Sequence, residues 1–250
     1  MKKTVFLTGA TAGIGLATAR LLAKEGFRII LCGRRENILM ELAEELSSLT
    51  EIHTLSFDVR KKDQVDKAID SLPNNWSAID ILINNAGNAY GMDFIQDGDI
   101  DDWEAMIDIN VKGLLYVSKK LMPRMIEKKA GYIINIGSIA GKETYPKGNV
   151  YCASKYAVDA ISSGMRMDLL PYGIKVSQIS PGLVNTEFSK VRFKGDMEKA
   201  NKVYEGMQPL VGEDIAELIL FMVTRPAHVN LADIIILPTA QASATQVHRG

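Results

Sequence analysis

Cysteine, histidine and long apolar runs are scarce in this sequence. Its 250 residues hold only 2 Cys and 3 His. Cys32 and Cys152 are too few and too far apart for a zinc knuckle or a disulfide framework, and none of His53, His228 and His248 has another at ligand spacing, so no metal site is expected. No stretch approaches the roughly 18 apolar residues that a transmembrane helix needs. The start, MKKTVFLTGA, has a basic head, but its apolar run Val5–Leu7 stops at Thr8-Gly9, too short for a signal-peptide core. Charge of one sign is missing as well. With 29 basic and 30 acidic residues the formal net charge is -1, and no global field favours nucleic acid or an anionic membrane. The expectation is a cytoplasmic protein whose partner is a small molecule.

What is present is patterned. Hydrophobic residues make up 47%, enough for a substantial core in a chain of one-domain length. Short apolar runs read as buried strands: TVFLT (4–8), RIILCG (28–33), IHTLSFDV (52–59), IDILINNAG (79–87), GYIINIGS (131–138), IKVSQISPG (174–182) and DIIILPT (233–239). Between them, 14–25, 36–48, 62–72, 101–128, 151–171 and 212–224 have helical period. Such alternation implies the α/β class: one doubly wound, Rossmann-type domain over residues 1–250, with about seven parallel strands and helices on both faces.

The first strand–helix junction is glycine-rich. Gly9, Gly13 and Gly15 follow T-G-x-x-x-G-x-G, with Thr11 and Ile14 inside the turn. Gly9 allows a tight turn, Gly13 lets a pyrophosphate approach the backbone, and Gly15 lets the helix pack closely, its N-terminus offering N–H groups to phosphates. The bland alternative is a ligand-free βα turn. At the end of the second strand, where an acid would hold an NAD ribose, stand Gly33, Arg34 and Arg35. Two guanidinium groups suit the extra phosphate of NADP, or else form a solvated helix start. Asp58, followed by Val59 at the third strand's end, either accepts from an adenine amino group or caps the next helix. Asn84 and Asn85 either pin the sheet or brace the cofactor, and Gly87 permits close approach.

Two Tyr-x-x-x-Lys pairs occur, YVSKK (116–120) and YCASK (151–155), and on a helix either would place hydroxyl and ammonium on one face. A tyrosine working as a base near neutral pH needs a shift of roughly 3 units, about 4 kcal/mol. One cation about 4 Å away, at an effective dielectric near 20, supplies that much. Tyr116 and Lys120 lie among exposed charges inside a long helix. Tyr151 instead opens a helix a short loop after Ser138, which sits at a strand's carboxyl edge, so Tyr151 and Lys155 are the better pair. Cys152 reads as a packing residue turned away from them.

Taken in order, the turn at 8–15, NNAG (84–87), IN ending at Asn110, IGS ending at Ser138, YCASK and SPGLVNT (180–186) resemble the short-chain dehydrogenase/reductase family over essentially the whole chain. The resemblance implies Tyr151 as acid/base and Ser138 as hydrogen-bond partner of the substrate oxygen. It implies that Lys155 holds the nicotinamide ribose and lowers the tyrosine pKa, and that Asn110 positions a relay water. By its residue type alone, Asn110 would be a polar helix residue satisfying a kink near Gly113. Pro181, Gly182, Val184 and Thr186 would flank the nicotinamide. A homotetramer would form through 101–128 and 151–171, although Leu114, Val117, Ala157 and Ile161 fit an ordinary core equally well.

EFSKVRFKGD (187–196), RPAHVN (225–230) and LPTAQ (237–241) are similar to the NADP-dependent 3-hydroxy acid dehydrogenases, implying hydride transfer between NADP(H) and serine, allo-threonine or a 3-hydroxypropionate/malonic semialdehyde pair. Residues 187–205 would then cover the active site. Arg192 would clamp the substrate carboxylate or remain a solvated lid arginine, with Lys142 and Lys147 as weaker candidates. The alternatives are a 3-oxoacyl thioester (acyl-carrier) reductase and a non-catalytic NADP-sensing protein. The tail TAQASATQVHRG is expected to fray or to reach a neighbouring subunit.

Overall fold

The computed structural model describes residues 2–250. The central strands form because their residues can be buried on both faces, and β1 (Thr4–Thr8) is buried at every position. With β2 (Arg28–Gly33), β3 (Ile52–Ser56), β4 (Ile81–Asn84), β5 (Gly131–Ile136), β6 (Ile174–Pro181) and β7 (Asp233–Ile236) it makes one parallel sheet ordered β3-β2-β1-β4-β5-β6-β7. Alternate residues face opposite layers. Phe6, Ile30, Leu82, Ile133 and Val176 pack against one helical layer, which includes Val65 of α3 (Lys62–Asp70), Leu121 of α5 (Leu114–Lys128) and Val158 of α6 (Asn149–Asp168). Val5, Leu7, Ile29, Ile83 and Ile134 pack against the other, which includes Leu22 of α1 (Gly13–Lys24), Leu42 of α2 (Glu36–Ser47) and Ile219 of α9 (Gly212–Val223).

The order reverses between β1 and β4, and at such a switch point a crevice opens at the strands' carboxyl ends. Strands expected to run to 59, 87, 138, 182 and 239 stop at Ser56, Asn84, Ile136, Pro181 and Ile236. The surplus residues leave the ladder to form that crevice. The helix expected over 101–128 also divides, into α4 (Ile100–Ile107), a π-helical turn at Asp108–Gly113, and α5. The wide turn frees Asn110 to bond away from the helix and brings Gly113 against β3's outgoing loop, where a Cβ would lie 2.8 Å from Val59 Cγ2. α6 ends before Pro171, which lacks the N–H needed to continue it. Leu114 and Val117 belong to the core.

A buried polar chain fixes α6 against the sheet. Asn84 Nδ2 donates to Ser118 Oγ and to Asn135 Oδ1, both at 2.9 Å. Asn135 Nδ2 donates to Ser162 Oγ at 2.9 Å, and Ser162 Oγ to Val158 O at 2.7 Å. Side chains that must find these partners allow one register of helix on sheet. Asn135→Leu, which strips partners from two buried groups, is expected to lower the unfolding free energy by about 1–3 kcal/mol, measured by urea denaturation.

Candidate active site

The crevice is built on the first βα turn. Gly9 adopts φ +67, open to glycine at little cost, and this turns the chain sharply after β1. Asn85 holds the turn from β4, its Nδ2 donating to Thr8 O (3.0 Å) and Gly9 O (3.1 Å). A Cβ on Gly15 would lie 2.1 Å from Gly9 O, so α1 can start this close only with glycine there. Gly9, Thr11, Gly13 and Ile14 face a crevice of about 680 Å³, while Gly15 supports the turn from behind. Asn84 thus pins the sheet, one of the two roles expected of the pair, while Asn85 ties β4 to the glycine turn.

Arg34 and Arg35 both line the crevice at the end of β2. Arg35 reaches back over the turn, with Nε and Nη2 on Thr11 Oγ1 (3.1 and 3.0 Å) and Nη2 also on Thr11 O (2.8 Å). Its Nη1 meets Glu187 Oε2 at 3.1 Å. Phe57 and Val59 line the wall; Asp58 does not. Both Asp58 carboxylate oxygens close on the Arg60 guanidinium (2.6–3.0 Å) and Oδ1 takes the Arg60 N–H (3.0 Å), so the side chain is held within its own turn. Burial opposes the Asp58 charge, yet the Arg60 contacts hold its carboxyl below the ordinary range.

Ser138, Tyr151, Lys155 and Gly87 meet in the deeper part. Ser138 leaves β5 with its Oγ accepting from Ala140 N at 3.1 Å. One turn apart on α6, Tyr151 is 8% and Lys155 6% exposed. Lys155 Nζ donates to Ile136 O at 3.0 Å and lies 6.0 Å from the centre of the Tyr151 ring. Asn110 stands behind. Its Oδ1 accepts from Asn88 N (2.9 Å), and its Nδ2 donates to Asn88 O (2.8 Å) and Ser154 Oγ (3.0 Å). Both amide hydrogens are used in tying the loop after β4 to α6.

Pro181, Gly182, Val184 and Thr186 form the opposite lip. Thr186 caps α7 (Glu187–Arg192) by accepting from Phe188 N at 3.2 Å, and α7 with α8 (Met197–Lys202) occupies the 187–205 segment expected to act as a lid, with Phe188, Arg192 and Tyr204 among its residues on the crevice wall. The Phe188 ring packs 5.7 Å from that of Tyr151. Arg192 donates from Nε to Gly91 O (3.1 Å) and from Nη1 to the Tyr145 hydroxyl (3.0 Å), with its guanidinium carbon 5.5 Å from the Tyr151 ring centre. Lys142 is paired with Asp159 and Asp233, and Lys147 lies over Phe94, so neither lines the crevice. Tyr116 and Lys120 are likewise remote, Lys120 pairing with Asp70. Cys152 is fully buried beside Met106 and Ala140.

Sequence reasoning missed Tyr145 and Phe188, and it misread the tail. Gln241 is buried, accepts from Leu183 N (2.8 Å) and steadies the lip at 181–186. Arg249 binds the carbonyls of Val203 and Glu205, and Gly250 N that of Gly206. The tail thus folds onto its own lid. Its small residues carry no periodicity, so only the position of Gly182, whose Cβ would lie 2.2 Å from Gln241 Oε1, could have signalled it.

The electrostatics depart from the expected lowering of Tyr151. Burial pushes its hydroxyl above the ordinary phenol range, and Ser138 and Arg192 offset only part of this. Burial also pushes Lys155 down, to about 8. Below that pH the ammonium is charged in folded and unfolded chains alike, and the folded state carries the whole burial penalty. Between about 8 and the ordinary 10.5 the unfolded chain holds more protons, so this group makes stability rise with pH. Tyr151 acts oppositely above its ordinary 10.0. Lys155→Met is therefore expected to stabilise the cofactor-free protein by about 1–3 kcal/mol at pH 7, with the gain fading by about pH 10, measured by urea denaturation at both values.

Among the described residues no helix is long and apolar enough to cross a membrane, and no His, Cys, Asp and Glu group could hold a metal ion. The sequence profile described as "short chain dehydrogenase" matches residues 3–196. Sulfoacetaldehyde reductase 2 of Chromohalobacter salexigens is 45% identical over 251 residues, covering 100% of both chains. The NADP-dependent 3-hydroxy acid dehydrogenase YdfG of Escherichia coli K12 is 44% identical, covering 98% of this chain and 99% of its own. Among solved structures, the closed form of serine dehydrogenase complexed with NADP+ superposes with TM-score 0.93 at 44% identity, over 99% of this chain and 100% of that one. Serine dehydrogenase from Escherichia coli gives 0.83 at 38%, over 96% and 99%. With its glycine turn, its Ser138–Tyr151–Lys155 cluster and these matches, the chain belongs to the short-chain dehydrogenase family.

Proposed function

We propose that the protein is an NADP-dependent oxidoreductase acting at the hydroxyl- or carbonyl-bearing carbon of a small anionic substrate. The class is a 3-hydroxy acid such as serine, allo-threonine or 3-hydroxypropionate with its semialdehyde, and it extends to small sulfonated aldehydes. The observation that carries this reading is the Arg192 guanidinium held 5.5 Å from the Tyr151 ring under the lid, a fixed cation beside a proton-transfer group.

The crevice suits NADP in its donor set. The turn presents Gly9 and Gly13 without side chains in its way, α1 points its N-terminus there, and two guanidinium groups with no carboxylate of β2 face the place of a 2′-phosphate. Gly13, Arg34 and Arg35 would hold the phosphates, and Lys155 with the lip at Pro181–Thr186 would hold the nicotinamide half. Bound there, NADP supplies or accepts the hydride. Ser138 Oγ orients the substrate oxygen by a hydrogen bond. Tyr151 Oη gives that oxygen its proton in reduction and removes it in oxidation, and the Lys155 charge favours the phenolate that results. Phe188 and the lid keep water from the exchange. Arg192 holds the substrate's anionic end.

Exposed Leu115 on α5 and Tyr156 and Met167 on α6 support self-association through these helices as a homotetramer. Both cysteines are free, which suits a cytoplasmic setting. Tyr151→Phe should slow NADPH oxidation by malonic semialdehyde about 10²–10⁴-fold while NADPH binding, followed by fluorescence, persists. Arg192→Ala should raise KM for serine about 10-fold or more, and an unchanged KM would overturn the assignment of Arg192.

A further inference from the structure

Tyr145 has no part in the reading above, yet it is built into the site with care. It lies in the loop between Ser138 and α6, lines the crevice, and is half-buried against the Tyr151 cluster. Gly148 makes room for its ring: a Cβ there would fall 2.3 Å from Tyr145 Cε2 and 2.6 Å from Cζ. No rotation of a small side chain could relieve such a contact, so glycine at 148 and the ring position go together.

The direction of one hydrogen bond matters most. Arginine only donates, so in the 3.0 Å contact the Tyr145 oxygen must accept from Arg192 Nη1. The phenol hydrogen is then left to be given elsewhere, and it has no acceptor among the described residues. Arg192 Nε is spent on Gly91 O, and Gly91 N in turn donates to Arg192 O at 2.9 Å, which clamps the arginine at both ends. Its Nη2 has no acceptor among the described residues either. Two adjacent donors, one charged and one neutral, thus stand unpaired on the crevice wall, with the guanidinium carbon near the rings of both Tyr145 (5.6 Å) and Tyr151 (5.5 Å).

We infer that Tyr145 is a substrate-specificity residue which, with Arg192, holds the anionic group of the substrate, the phenol O–H and guanidinium Nη2 each donating to one oxygen of a carboxylate or sulfonate. The inference rests on the proposed anion-clamp role of Arg192 and extends it. The division of labour is chemical. Arg192 supplies charge, whereas Tyr145 fixes the guanidinium plane through Nη1 and adds a donor that costs little to order, because its ring is locked beneath Gly148.

Tyr145→Phe removes one oxygen and keeps the ring. With NADPH and the full chain, the variant is expected to raise KM for malonic semialdehyde about 10-fold or more, while kcat changes little. With propanal, which lacks the anion, kcat/KM should equal that of the unaltered protein, as should the affinity for NADPH. Sulfoacetaldehyde should behave as malonic semialdehyde does. Equal losses on propanal and malonic semialdehyde would make Tyr145 a packing residue and overturn the inference. So would an unchanged KM for the semialdehyde in Tyr145→Phe alongside a raised one in Arg192→Ala, which leaves the clamp itself standing. An unchanged KM in both variants overturns the clamp and this inference together.

Discussion

An ammonium group buried without a carboxylate partner sets the terms for the rest of this molecule. Lys155 gives its one recorded hydrogen bond to the carbonyl of Ile136, the last residue of β5. A cation in so poor a setting has to be forced there, and the surroundings show how. Gly87 and Gly141 leave room that side chains would take: a Cβ on Gly87 would reach 2.9 Å from Asn110 Oδ1, and one on Gly141 2.6 Å from Lys155 O. Asn110 ties the loop beyond β4 to α6, and the Asn84–Asn135–Ser162 chain locks α6 onto the sheet. The two hydrophobic layers supply the stability from which this strained arrangement draws.

The covering parts follow a different rule. α7 and α8 are held by exposed ion pairs, Arg35 with Glu187 and Lys194 with Asp99, by Lys194 with the half-buried Asp102, and by carbonyls that accept from Arg192 and Arg249. Exposed ion pairs contribute about 0–1 kcal/mol each, so the lid is fastened at several weak points instead of one strong one. The Ser138–Tyr151–Lys155 cluster sits at the end of β5 and on α6, whereas Arg192 sits on α7.

Much of the fold was legible because its signals are local or periodic. Runs such as TVFLT can only be buried strands, and Gly9, Gly13 and Gly15 announce a turn that needs them. The Tyr151–Lys155 pair stood out once Ser138 was placed at a strand end. What the sequence hid depends on contacts between distant segments. The π turn at 108–113 reads as plain helix, since its cause lies in Asn88, Ser154 and Val59. The contact of Asp58 with Arg60 two residues on could not be read from the strand pattern, because it depends on the path of the turn after β3. Tyr145 and Gln241 carry no pattern at all; each matters through a partner, Arg192 or Leu183, many residues away.

Arg35 joins these two regimes, touching the glycine turn through Thr11 and the lid through Glu187 with one planar group. Anyone redesigning the crevice to prefer a different dinucleotide would choose this side chain first. The exchange would also cut the fastening at the start of α7, because the same guanidinium holds Glu187. The nucleotide end of the crevice and the anchoring of α7 therefore share one side chain, and a compensating contact for Glu187 belongs in the same design.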